Sequence, residues 1–285
     1  MRRMLLARVM RQMIPSFSVK EVLQPLYARK EGHIMWLEAA LARQAEEFWE
    51  LAGGPEPFPR RLVGPASLAL PVTVHELHGL TLMSMHDWLQ ARGVRLPTTP
   101  GGFNQRLRGC LVASRGRALI LIDGSDHDDE RRFTLAHELA HLLIDYREPR
   151  REAVAALGES ILPVLNGERP PTHAERLHAI LDYVPLGLHV DMMERTSEGS
   201  YTSQATLDAE ERANLLALEL LAPAADAWAA ISALADTGQL YFPLRKQSAT
   251  LLCERYGLPA TYAHAYAGWL LKHGGREPGI RDWLD

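Results

Sequence analysis

The segment His137-Glu138-Leu139-Ala140-His141 constrains this chain more than any other part of it. Histidines four residues apart lie one above the other on one face of an α-helix. The surrounding run from Phe133 to Leu143 has no proline or glycine to interrupt a helix, and Leu135, Leu139, Leu142 and Leu143 are available to bury its other faces. Two imidazoles at that spacing can close on one ion, which makes His137 and His141 candidate metal ligands. Neutral imidazole is a good zinc ligand, and a catalytic zinc takes three protein ligands and keeps one position for water. Glu138, beside the first histidine, is the candidate catalytic residue. A carboxylate there can take a proton from water acidified by the metal and pass it to a leaving amine.

With 12 His among 285 residues, H-E-x-x-H arises by accident on the order of once in 25 such chains, so a second block must supply the third ligand. The strongest candidate is Glu210-Glu211-Arg212-Ala213-Asn214. On a helix, a carboxylate at Glu210 and an amide at Asn214 share a face, so Glu210 can ligate while Asn214 orients a neighbouring ligand. Glu211 is turned about 100° away and is the runner-up.

These two blocks resemble the ImmA/IrrE metallopeptidases, whose signature is approximately R-F-T-L-A-H-E-x-x-H-x-L followed by E-x-x-A-N-x-x-A-x-x-L-L-x-P. Here Arg132-Phe133-Thr134-Leu135-Ala136-His137-Glu138 runs on to His141, and Glu210 to Asn214 runs on through Ala217, Leu220, Leu221 and Pro223. The resemblance implies a zincin-like fold, metal ligands His137, His141 and Glu210, and Glu138 as general base. It also implies a protein substrate, a helix-turn-helix repressor or an antitoxin-like partner, cleaved to induce stress or mobile-element genes. Two departures are conservative: Ala140 stands where glycine is common in relatives, and Leu216 where phenylalanine is usual. A third is larger. The stretch 142–209 between the metal blocks exceeds the family's usual length and is expected to serve as a lid or a docking surface.

The expected fold class is α+β, a small sheet beside the HExxH helix with flanking helical segments. The Pro/Gly cluster Gly53 to Pro59 marks a boundary, giving a helical N-terminal lead-in over 1–58, a metallopeptidase domain over 59–235 and a C-terminal helical segment over 236–285. Helices are predicted over 19–51, 78–92, from Arg131, 152–165, 172–183, 207–221, 244–256 and 259–273. Thr172 with Glu175 forms a capping-box pattern. The runs 109–113 and 118–123, separated by a glycine-containing turn, read as a hairpin. The second of these strands is either an edge that could pair with an extended substrate or a buried core strand.

Composition narrows the class. Hydrophobic residues make up 47% and charged residues 23%, the balance of an ordinary globular protein. A formal net charge of -4 gives no reason to expect direct nucleic-acid contact, and the basic leader over 1–30 reads as solvated. No membrane span is expected. Cys110 and Cys253, far apart, read as free thiols in a cytoplasmic protein. The expected cofactor is zinc, with manganese admitted by a His/His/Glu set. His189 and Tyr201 are the candidates for stabilising the oxyanion of a tetrahedral intermediate. His127, with Asp126 and Asp128, reads as part of a solvated acidic loop rather than a second ion site.

Overall fold

The computed structural model describes residues 33–94, 104–194, 204–234 and 240–279. Its contacts divide the chain after Arg43. In the first unit the described residues, 33–43, are helical and begin α1 (His33–Leu51); the earlier part of the helix expected over 19–51 lies outside the described residues. The second unit, from Gln44 onward, holds the sheet and the remaining helices.

A hairpin forms the centre of this second unit. Strands β2 (Leu107–Ser114) and β3 (Arg117–Asp123) pair antiparallel with Ser114 opposite Arg117 and Gly109 opposite Ile122. The two-residue turn has Arg115 at φ 52° and Gly116 at φ 76°, the left-handed pair that matches the twist of flanking strands. The hairpin agrees with the sequence reading. Two further strands complete a mixed sheet in the order β1-β3-β2-β4. β1 (Val72–Leu77) runs parallel to β3, and β4 (His189–Glu194) antiparallel to β2. β3 is therefore interior, which corrects the edge alternative for 118–123. Its apolar run from Ala118 to Ile122 suits a strand flanked on both sides.

Side chains alternate across each strand, so the sheet presents two faces. On one, Cys110, Val112 and Leu121 pack with Leu82, Met85 and Leu89 of α3 (Leu82–Gln90). This helix was expected from His78. Its start is set later by Thr81 and Ser84, each of which accepts the other's backbone N–H, at 3.1 and 2.9 Å, after β1 and a turn at Gly79. A short α2 (Val63–Ala69) precedes β1.

The other face carries α4 (Asp128–His141), packed on β2, β3 and β4. It begins three residues before Arg131, and Asp128, Asp129 and Glu130 place negative charge where a helix N-terminus favours it. After His141 the helix continues through a π-helical turn, Leu142–Arg147, into α5 (Glu148–Leu157). The helix expected over 152–165 is broken at Gly158, where φ is 76°, into the end of α5, a 3-10 turn at Glu159–Ile161 and α6 (Leu162–Leu165). Thr172 and Glu175 cap α7 (His173–Leu181) reciprocally, as the pattern predicts.

α8 (Gln204–Leu221) lies along α4, and α9 (Ala224–Ser232) follows Pro223. The last two helices among the described residues, α10 (Tyr241–Tyr256) and α11 (Ala260–His273), brace α4 and the end of α8. The Phe133 ring stacks on Tyr262 with centroids 3.5 Å apart, Arg132 Nη2 donates to the Gly257 carbonyl at 2.9 Å, and Tyr266 donates to the Ala222 carbonyl at 3.0 Å. The architecture is mixed α+β. Among the described residues no single helix is long and apolar enough to cross a membrane.

Candidate metal centre

Helix α4 is buried continuously from Phe133 to His141 between the sheet and α8. Burial is nearly complete for His137 and His141, each 2% exposed, and complete for Glu138. Polar side chains in such a place require partners, and the two imidazoles have them.

His137 Nδ1 stands 3.0 Å from Asn214 Oδ1 on α8. The amide oxygen only accepts, so Nδ1 carries the proton and donates, which leaves the Nε2 lone pair directed away from Asn214. His141 Nδ1 stands 2.7 Å from Asp145 Oδ2 in the π-helical turn and 2.9 Å from Asp191 Oδ2 on β4. In that turn the Glu148 N–H reaches back five residues to the Leu143 carbonyl. Such turns recur at functional sites.

The opposite nitrogens converge. His137 Nε2 and His141 Nε2 are 3.0 Å apart, and the Glu210 carboxylate stands 3.4 Å from the first and 3.7 Å from the second. One ligand atom from each of the three residues lies within 4.8 Å of the others. An ion with bonds of about 2.0–2.2 Å spans separations of this order, and two nitrogens plus one carboxylate oxygen are a donor set that zinc accepts. Glu210 remains a quarter exposed, so the group opens toward solvent, as a reacting centre must. Glu211, one position on, is exposed and outside the group.

Glu138 differs from every other acid around it. Both its carboxylate oxygens are buried and make no well-formed hydrogen bond, the Met193 backbone of β4 offering only a minor offset to their charge. Burial, with the neighbouring charges of Asp191 and Glu210, pushes its pKa well above the ordinary carboxylate value, against the opposing charge of His141. A cation brought to the donor group would supply the missing compensation. Beneath Glu138 runs Gly109 of β2, where a Cβ would stand 2.8 Å from Oε1 and 2.5 Å from Thr134 Cγ2.

Burial works to raise the Asp191 carboxyl, but its hydrogen bond to His141 and that ring's charge outweigh it and hold the pKa at about 2. The two carboxylates likewise overcome burial at His141 and raise its pKa well above the ordinary imidazole value. Of the two oxyanion candidates, Tyr201 lies outside the described residues. His189 sits on β4 two residues before Asp191, on the same face, with its ring 5.9 Å from that of Tyr146 and its Nε2 buried without a hydrogen-bond partner. Burial lowers its pKa, which favours the neutral ring. His127 is the residue before α4 and is not among the gathered donors.

Residues 93–160 match the peptidase family described as the IrrE N-terminal-like domain. No curated protein and no solved structure matches the chain. The IrrE-like match agrees with the resemblance in the first of the two sequence blocks and supports a peptidase, in a family that is generally zinc-dependent. It spans the hairpin, α4, the π-helical turn and α5, and so contains His137, Glu138, His141 and Asp145. Asp191, Glu210 and Asn214 lie beyond the IrrE-like segment and are joined to it by the fold alone.

Proposed function

We propose that the chain is a zinc-dependent endopeptidase of narrow specificity with a zincin-like catalytic body. The observation that carries this reading is the gathering of His137, His141 and Glu210 within 4.8 Å of one another, with the fully buried carboxylate of Glu138 next to His137 on the same helix. His137, His141 and Glu210 would hold the ion, Asn214 would fix the His137 ring, and Glu138 would move the proton. The metal, when bound, supplies a Lewis acid that acidifies water and polarises a carbonyl. The Glu138 carboxylate then accepts a proton from water and returns it to the nitrogen of the leaving amine. Manganese is compatible with the same donors.

In this reading 59–235 is the catalytic domain, 1–58 a helical lead-in and 236–285 a helical brace. The stretch 142–209 helps form the docking surface for a regulatory protein, a helix-turn-helix repressor or an antitoxin by the family resemblance. β4, last in the sheet among the described residues, is the strand beside the site with which an extended segment could pair. The free thiols of Cys110 and Cys253 suit a reducing, cytoplasmic setting.

Elemental analysis of purified protein tests the core of this. Wild type should carry about one zinc per chain, as a three-ligand site implies. Glu210→Ala should lose it and Glu211→Ala should keep it. Absence of zinc or manganese uptake by wild type would end the enzymatic reading. A non-proteolytic regulator is the second reading, favoured by Leu177, Ile180 and Tyr183, which are 52%, 49% and 81% exposed in the stretch between the metal blocks. Glu138→Gln separates the two, because it should retain the metal and abolish the biological response only if hydrolysis produces that response.

A further inference from the structure

His141 is held by two carboxylates of different origin. Asp145 belongs to the same continuous helical run, four residues on, with Oδ2 at 2.7 Å from Nδ1. Asp191 arrives on another element altogether, with Oδ2 at 2.9 Å from the same nitrogen. One N–H does not make two full-strength hydrogen bonds, and Asp145 alone suffices to orient the ring, so orientation leaves Asp191 unexplained. What distinguishes Asp191 is its dependence on the sheet. It stands opposite Leu111 in register, between His189 opposite Ala113 and Met193 opposite Gly109, so it meets His141 only when β4 is paired on β2. Its other oxygen accepts the Met192 backbone N–H at 2.8 Å, which fixes the carboxylate to its own strand. β4 is also lightly anchored. It is six residues long, half-buried or exposed at every position, and paired on one side among the described strands.

We propose that Asp191 is a positioning residue that ties β4 to the metal centre, so that pairing of β4 on β2 and occupancy of the centre reinforce each other. The inference rests on the reading of His137, His141 and Glu210 as metal ligands. A cation at Nε2 fixes the ring in place and obliges its one remaining N–H to sit on Nδ1, so the hydrogen bond to Asp191 tightens in geometry. Whatever tightens that bond holds β4 more firmly. By linkage, a β4 already held raises the affinity for the metal by the same factor. The stretch between the metal blocks thereby contributes to the centre itself, and the strand nearest the site becomes a reporter of metal loading.

Hydrogen exchange of the amides of residues 189–194 tests this in the full-length protein with and without zinc, alongside zinc affinity by chelator competition. In wild type, zinc should slow exchange in β4 more than in β1. Asp191→Asn should lose that selective slowing and bind zinc about 10- to 100-fold more weakly. Asp145→Asn should weaken zinc binding yet keep the slowing in β4. Asp191→Ser serves as a second variant; if either starts with faster exchange in β4, the zinc-dependent increment still decides the matter. Retention of the selective slowing and of wild-type affinity in both Asp191 variants would overturn the inference and leave the metal centre intact. A wild type that takes up no zinc removes the centre and the inference together.

Discussion

Gly109 passes so close beneath Glu138 that a Cβ on it would stand 2.8 Å from the Oε1 of that glutamate. The same Cβ would meet Thr134 Cγ2 at 2.5 Å, and both neighbours belong to the fully buried stretch of α4. A methyl group there must displace these buried side chains or part the helix from the strand. Gly109→Ala is expected to lower the free energy of unfolding by about 1–3 kcal/mol, the usual cost of overpacking a core. Urea denaturation measures it, and an unchanged midpoint would contradict the close approach.

Asn214 is expected to matter through His137 rather than by touching the ion. Removing its amide in Asn214→Ala leaves the buried Nδ1–H without the acceptor it has at 3.0 Å. Zinc affinity should fall about 10- to 100-fold, read by competition with a chromogenic chelator. The change should be far smaller for Glu211→Ala, whose side chain is exposed and outside the donor group.

Zinc and a proton compete for His141. Burial disfavours its charged form, but Asp145 and Asp191 prevail and raise its pKa well above 6.5. A proton and a metal at Nε2 exclude one another, so a raised pKa makes the proton the stronger competitor. Zinc binding should release protons, and affinity should climb as pH rises through the neutral range. Calorimetry in buffers of different ionisation enthalpy reads the proton count directly. An affinity independent of pH across the neutral range would contradict the arrangement.

A separate pH effect should come from α7. Arg169 binds both oxygens of Glu175, at 2.6 and 2.8 Å, and the Thr172 N–H donates to the same carboxylate, holding its pKa at about 2. The folded value lies below the ordinary value of about 4.3, so the stabilisation is fully present above that pH and is lost as pH falls toward the folded value. The difference in melting temperature between wild type and Glu175→Gln should therefore be constant near neutrality and shrink below about pH 4.5.

Much of this arrangement was legible in the chain because it is local. The hairpin follows from two apolar runs around Gly116, and the face shared by His137 and His141 follows from helical spacing. The cap at Thr172 follows from the glutamate three residues on. Asp145 carries the same signal, since it lies four residues beyond His141 on one continuous helical face, although apolar neighbours mask it. Asp191 carries none. Its strand, His189 to Glu194, lacks the dense apolar run that marks a buried strand, and its partner β2 lies far back in the sequence. β1 is hidden for the same reason, because Thr73, His75 and Glu76 dilute its pattern and its parallel neighbour is distant. The break at Gly158 has a local cause, a glycine at positive φ of the kind that ends helices routinely. The role of Gly109 is visible only once β2 and α4 are packed together.

The donors come from two helices that the chain visits at widely separated times: α4 supplies the histidines, and α8 supplies Glu210 only after the π-helical turn, α5, α7 and β4 have been laid down. A single ion shared between them would tie the two ends of all the intervening chain together, and because the scattered donors of an unfolded chain do not hold it, its binding free energy would add to that of folding. Stripping that ion would then slacken a knot in the fold as well as silence a reaction.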